Sequence, residues 1–238
     1  MPDITLVGRG HQKTAFDGNF VLSSGDSTNE FLTVQAGDLL LAFFQVLSGM
    51  GAQAATSVPT GWVEVGHSPN YLLRVYYKIA VAGEPSLNAG SAYTGFAGLC
   101  TGSSGSGTGS SNIMALRYVD RSNPIVAGSV TGQDGSSSTI WPFGAVNLVK
   151  RGRPIYASSY KRTPSGVINS GLHSDVSFFG TSTGVSATNG FGGRMSYGDT
   201  LQGSLGTQNV ATSPTETLLD YGTISFGLRA QASQQGIL

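Results

Sequence analysis

Leu72-Leu73-Arg74-Val75-Tyr76-Tyr77-Lys78-Ile79 alternates strictly. Leu73, Val75, Tyr77 and Ile79 fall on one face of an extended chain, and Leu72, Arg74, Tyr76 and Lys78 on the other. Successive side chains of a strand point to opposite faces, so this stretch reads as a half-buried β-strand. Ile224-Ser225-Phe226-Gly227-Leu228-Arg229 repeats the pattern, with Ile224, Phe226 and Leu228 inward. Leu39-Leu40-Leu41-Ala42-Phe43-Phe44 differs, being apolar on both faces. Such a strand is central to its sheet and covered on both sides. One cover is a sandwich core; the other is a loop or a neighbouring subunit.

Around these runs the chain is broken by Gly, Ser, Asn and Pro. No window of a dozen residues keeps a helical apolar period without interruption. Short β-type runs between turn clusters are the mark of a sandwich or barrel.

The runs are also duplicated. Pro59-Thr60-Gly61-Trp62-Val63-Glu64-Val65-Gly66-His67-Ser68 resembles Pro164-Ser165-Gly166-Val167-Ile168-Asn169-Ser170-Gly171-Leu172-His173-Ser174. Gly37–Phe44 precedes the first copy and Gly152–Tyr160 the second. Tyr71–Ile79 and Asn112–Tyr118 follow the first; Arg194–Tyr197 and Thr223–Arg229 follow the second. Each half thus supplies about four strands in one order. The expectation is an all-β, jelly-roll-like antiparallel sandwich with essentially no helix. It forms a single domain over residues 1–238, with pseudo-repeats at about 35–120 and 150–230. Residues 101–112, almost pure Gly, Ser and Thr, read as an exposed loop between the halves.

Composition narrows the function. The 238 residues carry 13 basic and 13 acidic side chains, a formal net charge of 0. Only 11% are charged, against about 25% in an average globular protein. This neutral surface argues against a nucleic-acid partner. With 39% hydrophobic residues it also argues against disorder. Residues 1–120 hold 8 acidic and 5 basic residues, and 121–238 hold 5 and 8, an asymmetry that can help copies pack head to tail. The longest apolar run, Leu39–Phe44, is far short of the roughly 20 residues of a membrane span. No signal peptide is recognised at Met1-Pro2-Asp3-Ile4, which points to synthesis in a cytoplasm. Cys100 is the sole cysteine and is expected to be a small buried hydrophobe.

Residue types able to do chemistry are present but scattered. His67 and His173 occupy matching places in the two copies; with His11 they are the only histidines, and neither has the further ligands a metal site requires. Asp26, Asp38, Asp134, Asp199 and Asp220 read as turn residues. Glu64 and Glu84 lie on or beside strands without a second carboxylate for glycoside hydrolysis. No serine sits in a strand-to-helix elbow, and Gly8-Arg9-Gly10 lacks the helix of a phosphate loop. Lys150, Arg151, Arg153, Lys161 and Arg162 form the one basic cluster, read as solvated charges guarding an edge strand, or as a site for an acidic surface. Trp62, Trp141, Tyr71, Tyr76, Tyr93, Tyr156 and Tyr160 could stack on sugars, though Trp62 reads better as a plug closing one end of the sandwich. No catalytic, cofactor-binding or metal-binding residue is assigned.

One resemblance bears on function. Gly37-Asp38-Leu39-Leu40, Pro59-Thr60-Gly61-Trp62, Val75-Tyr76-Tyr77-Lys78-Ile79-Ala80, Ala82-Gly83-Glu84-Pro85-Ser86 and Ala115-Leu116-Arg117-Tyr118-Val119-Asp120 with Asn123-Pro124-Ile125 occur in that order. The series resembles small β-rich proteins of tailed bacteriophages and prophages, whose pattern runs GDLL, PxGW, YYK-A, AGEPS and AYRGVD-xx-NPI. The match spans roughly residues 35–130. It departs at Tyr118, where the pattern has glycine. The resemblance implies a non-enzymatic structural protein of a phage virion, decorating or stabilising the capsid or forming an accessory part of the tail. Its implied partners are other virion proteins and further copies of itself, with a trimer as the first candidate. The alternative is a carbohydrate-binding or host-receptor-binding adhesin module that recognises a host glycan; a glycan-degrading enzyme is a third reading. No nucleic-acid or membrane partner is implied.

Overall fold

A computed structural model describes residues 3–15, 19–23, 34–46, 57–84, 92–97, 108–138, 143–144, 146, 152–162, 176–185, 190–198 and 218–232. Among them there is no helix. The strands are β1 (Thr5–Ala15), β2 (Asn19–Ser23), β3 (Leu39–Val46), β4 (Val63–His67), β5 (Leu73–Ile79) and β6 (Ala92–Ala97). They continue with β7 (Thr108–Arg117), β8 (Thr131–Ser138), β9 (Arg153–Arg162), β10 (Val176–Val185), β11 (Gly190–Gly198) and β12 (Leu218–Leu228).

Two five-stranded antiparallel sheets result, with orders β1-β7-β3-β5-β4 and β10-β11-β9-β12-β8, and β2 pairs with β6 as a separate ribbon. Leu39, Leu41, Phe43, Leu73, Val75, Met114 and Leu116 from the first sheet meet Ile155, Ala157, Ile224, Phe226 and Leu228 from the second. All twelve are fully buried, and they form the apolar filling of a β-sandwich. The sheets bear out the all-β sandwich. They do not confirm the finer expectation of jelly-roll winding, because each sheet draws its five strands from one continuous half of the chain.

The halves match in connectivity. Setting β1, β3, β4, β5 and β7 against β8, β9, β10, β11 and β12 turns one strand order into the other. Between the layers β1 lies against β10, and β4 against β8. Where the layers meet, Val119 forms an antiparallel bridge with Ala230. On either side Asp120 N donates to Arg229 O (2.9 Å) and Gln231 N to Tyr118 O (2.8 Å). These two bonds interchange on shifting by 230 − 119 = 111 residues. An approximate two-fold relation through this bridge therefore links the halves. It places β4 and β10 at opposite edges of the sandwich, so equivalent positions on them do not face each other. His173 itself lies outside the described residues.

The central apolar strand is β3, flanked by β7 and β5, and Leu39 through Phe44 are all fully buried. Its outer cover comes from the same chain. Phe96 of the β2–β6 ribbon packs on Phe44 (4.6 Å between ring centroids) and on Tyr76 (5.2 Å), and Trp62 packs on Phe96 (5.4 Å). This changes the reading of β5. Its alternation holds, but Arg74 and Tyr76 on the second face are 0% exposed, so the strand is buried on both faces. Trp62 is buried as well, within this outer layer and not in the filling between the sheets. The second sheet has a cover too: Phe143 stacks edgewise on Tyr156 (5.4 Å), and Gly144 O accepts the Ser225 hydroxyl.

Other expectations shift. Thr108–Asn112, expected in the Gly/Ser loop, are strand residues of β7, all paired with β1 and, from Gly109 onward, with β3 as well; residues 101–107 lie outside the described set. Asp134 and Asp220, read as turn residues, lie on β8 and β12. Small residues in a strand mimic turn composition when the pairing partners are distant in sequence.

Candidate functional site

Two groupings of polar side chains stand out, at opposite ends of the first sheet. The lower one is built from the stretches that carry the resemblance. Gly37 (φ +91) turns the chain into β3, its N–H donating to Ala80 O (2.7 Å) while Ala80 N donates to Asp38 O (2.8 Å). A side chain at position 37 would collide with the Arg121 guanidinium. Asp38 is buried, accepts Gln35 N (2.8 Å), and holds Arg117 through two bonds, Nε to Oδ1 and Nη2 to Oδ2, both 2.9 Å. That fork keeps the Arg117 guanidinium protonated even beyond its ordinary range. Lys78 pairs with Glu84, and its aliphatic stem lies against Gly61 of the Pro-Thr-Gly-Trp turn. Asp120 Oδ1 accepts the N–H groups of Ser122 (2.9 Å) and Asn123 (3.2 Å), fixing the turn that leads to Pro124. Five motif fragments thus meet in one knot, and the polar groups described in it hold backbone or one another.

The upper grouping lies on the β4–β5 hairpin. β4 carries a bulge between Glu64 and Gly66, which puts Glu64 beside Tyr76 and His67 beside Arg74. His67 Nδ1 lies 2.6 Å from Glu64 Oε1, and its ring stacks on Tyr71 at 4.1 Å and 18°. Tyr71 has φ +57, and the Arg74 guanidinium carbon lies 5.4 Å from its ring centre. A carboxylate orienting an imidazole is half of a nucleophile-activating arrangement. The other half is missing among the described residues. Ser68, the adjacent hydroxyl, is buried: it donates to Asn70 Oδ1 (2.8 Å) and accepts Leu73 N (3.1 Å). Asn70 Nδ2 in turn donates to Tyr221 O (3.0 Å) of the opposite sheet. The polar atoms of this hairpin pin one layer to the other.

The sequence-predicted residues are distributed accordingly. Glu64 and Glu84, read as lacking a second carboxylate, pair instead with His67 and Lys78. His67 ends β4 and is half-buried. Among the described residues, no three His, Cys, Asp or Glu side chains gather as metal ligands. Trp62, Tyr76 and Tyr156 are buried and cannot offer a ring face to a sugar. Burial holds the Tyr76 and Tyr156 hydroxyls protonated up to about 12. Arg153 is 9% exposed, and β9, which also carries Lys161 and Arg162, is the middle strand of its sheet; the edge-strand reading of the basic cluster therefore fails. Lys150, Arg151, Trp141, Cys100, Asp26 and Asp199 lie outside the described residues, as do the side chains of His11, Tyr93 and Tyr160.

Sequence reading missed the Asp38–Arg117 fork and the buried Arg74. The first leaves a faint trace, a Gly-Asp just before an apolar strand. The second leaves none, since an arginine on an alternating strand looks solvent-facing until its cover is known. Comparison with known families, with curated proteins and with solved structures found no match.

Proposed function

We propose that this chain is a non-enzymatic structural protein of a phage virion, acting as a homo-oligomer that decorates or stabilises the capsid or forms an accessory part of the tail. The observation that carries the reading is the use made of the polar groups. Asp38, Arg117, Lys78, Glu84, Ser68, Asn70 and Asp120 all hold backbone or one another. The motif stretches that resemble phage proteins form a mechanical knot instead of a reactive cleft. Phe96 and Trp62 on one sheet and Phe143 on the other are buried covers that give a stiff body, suited to a building part. The buried Trp62, Tyr76 and Tyr156 lend little support to the glycan-binding alternative.

The test is mass spectrometry of phage particles purified from a bacterial strain carrying the gene. Peptides of this chain should copurify with the capsid and tail proteins through a density gradient. A chain abundant in the lysate and missing from the particles would overturn the proposal.

A further inference from the structure

We propose that the end of the sandwich carrying Tyr118 is a self-association surface on which a second copy of this chain docks by a two-fold axis. The proposal rests on the homo-oligomer part of the reading above and names its contact.

Tyr118 leaves β7 with φ +65, a conformation that is unfavourable for a bulky residue. Glycine would adopt it without strain, and glycine stands here in the pattern the chain resembles. Strain held at an exposed position calls for a return elsewhere. Among the described residues there is none: Tyr118 is 39% exposed, and neither its ring nor its hydroxyl has a stacking or hydrogen-bond partner there.

The surroundings fit an interface. Val81 follows Ala80, which is bonded to Gly37; Tyr118 follows Arg117, which is bonded to Asp38. The two therefore flank the Gly37 turn. At 58% Val81 is the most exposed large hydrophobic residue described. Arg121 is exposed with its guanidinium against Gly37. A tyrosine, an arginine and an aliphatic side chain are the kinds of group that dominate binding energy at protein interfaces.

Charge selects the occupant. Asp3 lies two residues before Thr5, which pairs with Arg117, so it sits at the same end, exposed. Among the described residues neither Asp3 nor Arg121 has an ion-pair partner. One unpaired charge of each sign on one surface is what a two-fold contact requires: Arg121 of each copy meets Asp3 of the other. The net charge of 0 leaves no overall repulsion between copies.

Sedimentation of the full chain over a concentration series tests this. The wild type should associate reversibly. Tyr118→Gly should weaken association about tenfold or more, while its melting temperature, read at a concentration where the protein is monomeric, rises by a few degrees as strain is released. Arg121→Asp should also weaken association, and Asp3→Arg combined with Arg121→Asp should restore it. A wild type monomeric at every concentration, a Tyr118→Gly protein that associates unchanged, or a double variant that fails to recover would each overturn the surface. None of these results bears on the presence of the chain in particles, which is read separately.

Discussion

The two layers have one connectivity and different interiors. In the first, Phe96 and Trp62 roof the outer face of the sheet, Phe96 packing on Phe44 and Tyr76 and Trp62 on Phe96. In the second, the roof is a short segment at Phe143 and Gly144, joined through Tyr156 and Ser225. At the entry to the central strand the first layer has Gly37-Asp38 and the second Gly152-Arg153. The two-fold relation sets Arg117 against Leu228, so the fork that locks Asp38 has no counterpart. Strand order, set by backbone pairing and the apolar period, tolerates such divergence. Polar clamps and roofing are local solutions that each half reaches separately.

The roofs differ most in aromatic mass, and there the largest effect is expected. Trp62→Ala should lower unfolding free energy by about 3–5 kcal/mol in urea. Phe143→Ala, with a single described ring partner, should fall toward the lower end of that range. A Phe143 variant that costs more than the Trp62 variant would break the comparison. The contact between layers comes next. A methyl group on Gly132 of β8 would sit 2.3 Å from the His67 carbonyl oxygen, a backbone atom that cannot swing aside. Gly132→Ala should therefore cost about 2–3 kcal/mol by forcing the hairpin off the second sheet. A loss under about 0.5 kcal/mol would mean that the layers slide freely.

A subtler contrast lies in two buried tyrosines. Among the described residues the Tyr76 hydroxyl under the first roof has no hydrogen-bond partner; the Tyr156 hydroxyl under the second is not stranded in this way. Tyr76→Phe should stabilise the protein by about 1 kcal/mol at pH 7 by removing an unsatisfied buried group, whereas Tyr156→Phe should give no such gain. Both hydroxyls stay protonated in the folded state up to about 12, against roughly 10 in the unfolded chain. Their contribution to stability is complete below pH 10 and is lost as pH rises from 10 to 12. Urea unfolding at pH 7 and pH 11 should show Tyr76→Phe keeping more of its stability than the wild type. Equal losses would remove Tyr76 as a source of the alkaline sensitivity.

Much of this scaffold was legible, and the limits have physical causes. Alternation in Leu73–Ile79 and Ile224–Leu228 identified the inward faces, because period two follows from strand geometry alone. The double-sided run at Leu39–Phe44 identified the central strand. The Gly- and Ser-rich strands β8, β10 and β11 were mostly illegible, since their pairing comes from distant partners and not from local propensity. The same ambiguity hid the start of β7. The candidate sites were less legible still: Glu64 reaches His67 only across a bulge, and Asp38 reaches Arg117 over 79 residues.

The smallest effect concerns the junction where that ambiguity arose. β7 begins at Thr108, which pairs with Ala15, and Gly109 pairs with Thr14 and Val46. A deletion confined to Gly102–Ser106 shortens only the connection from β6. Loop-closure entropy varies with the logarithm of length, so halving a connection changes stability by about 0.6 kcal/mol. Extending the deletion through Gly109 removes paired strand residues, and the loss should then rise to about 1–3 kcal/mol with the backbone bonds it strips. Unfolding curves for the two deletions separate loop from strand. If both cost the same, the pairing of Thr108 and Gly109 contributes nothing to the first sheet, and the match between the halves would begin further along β7.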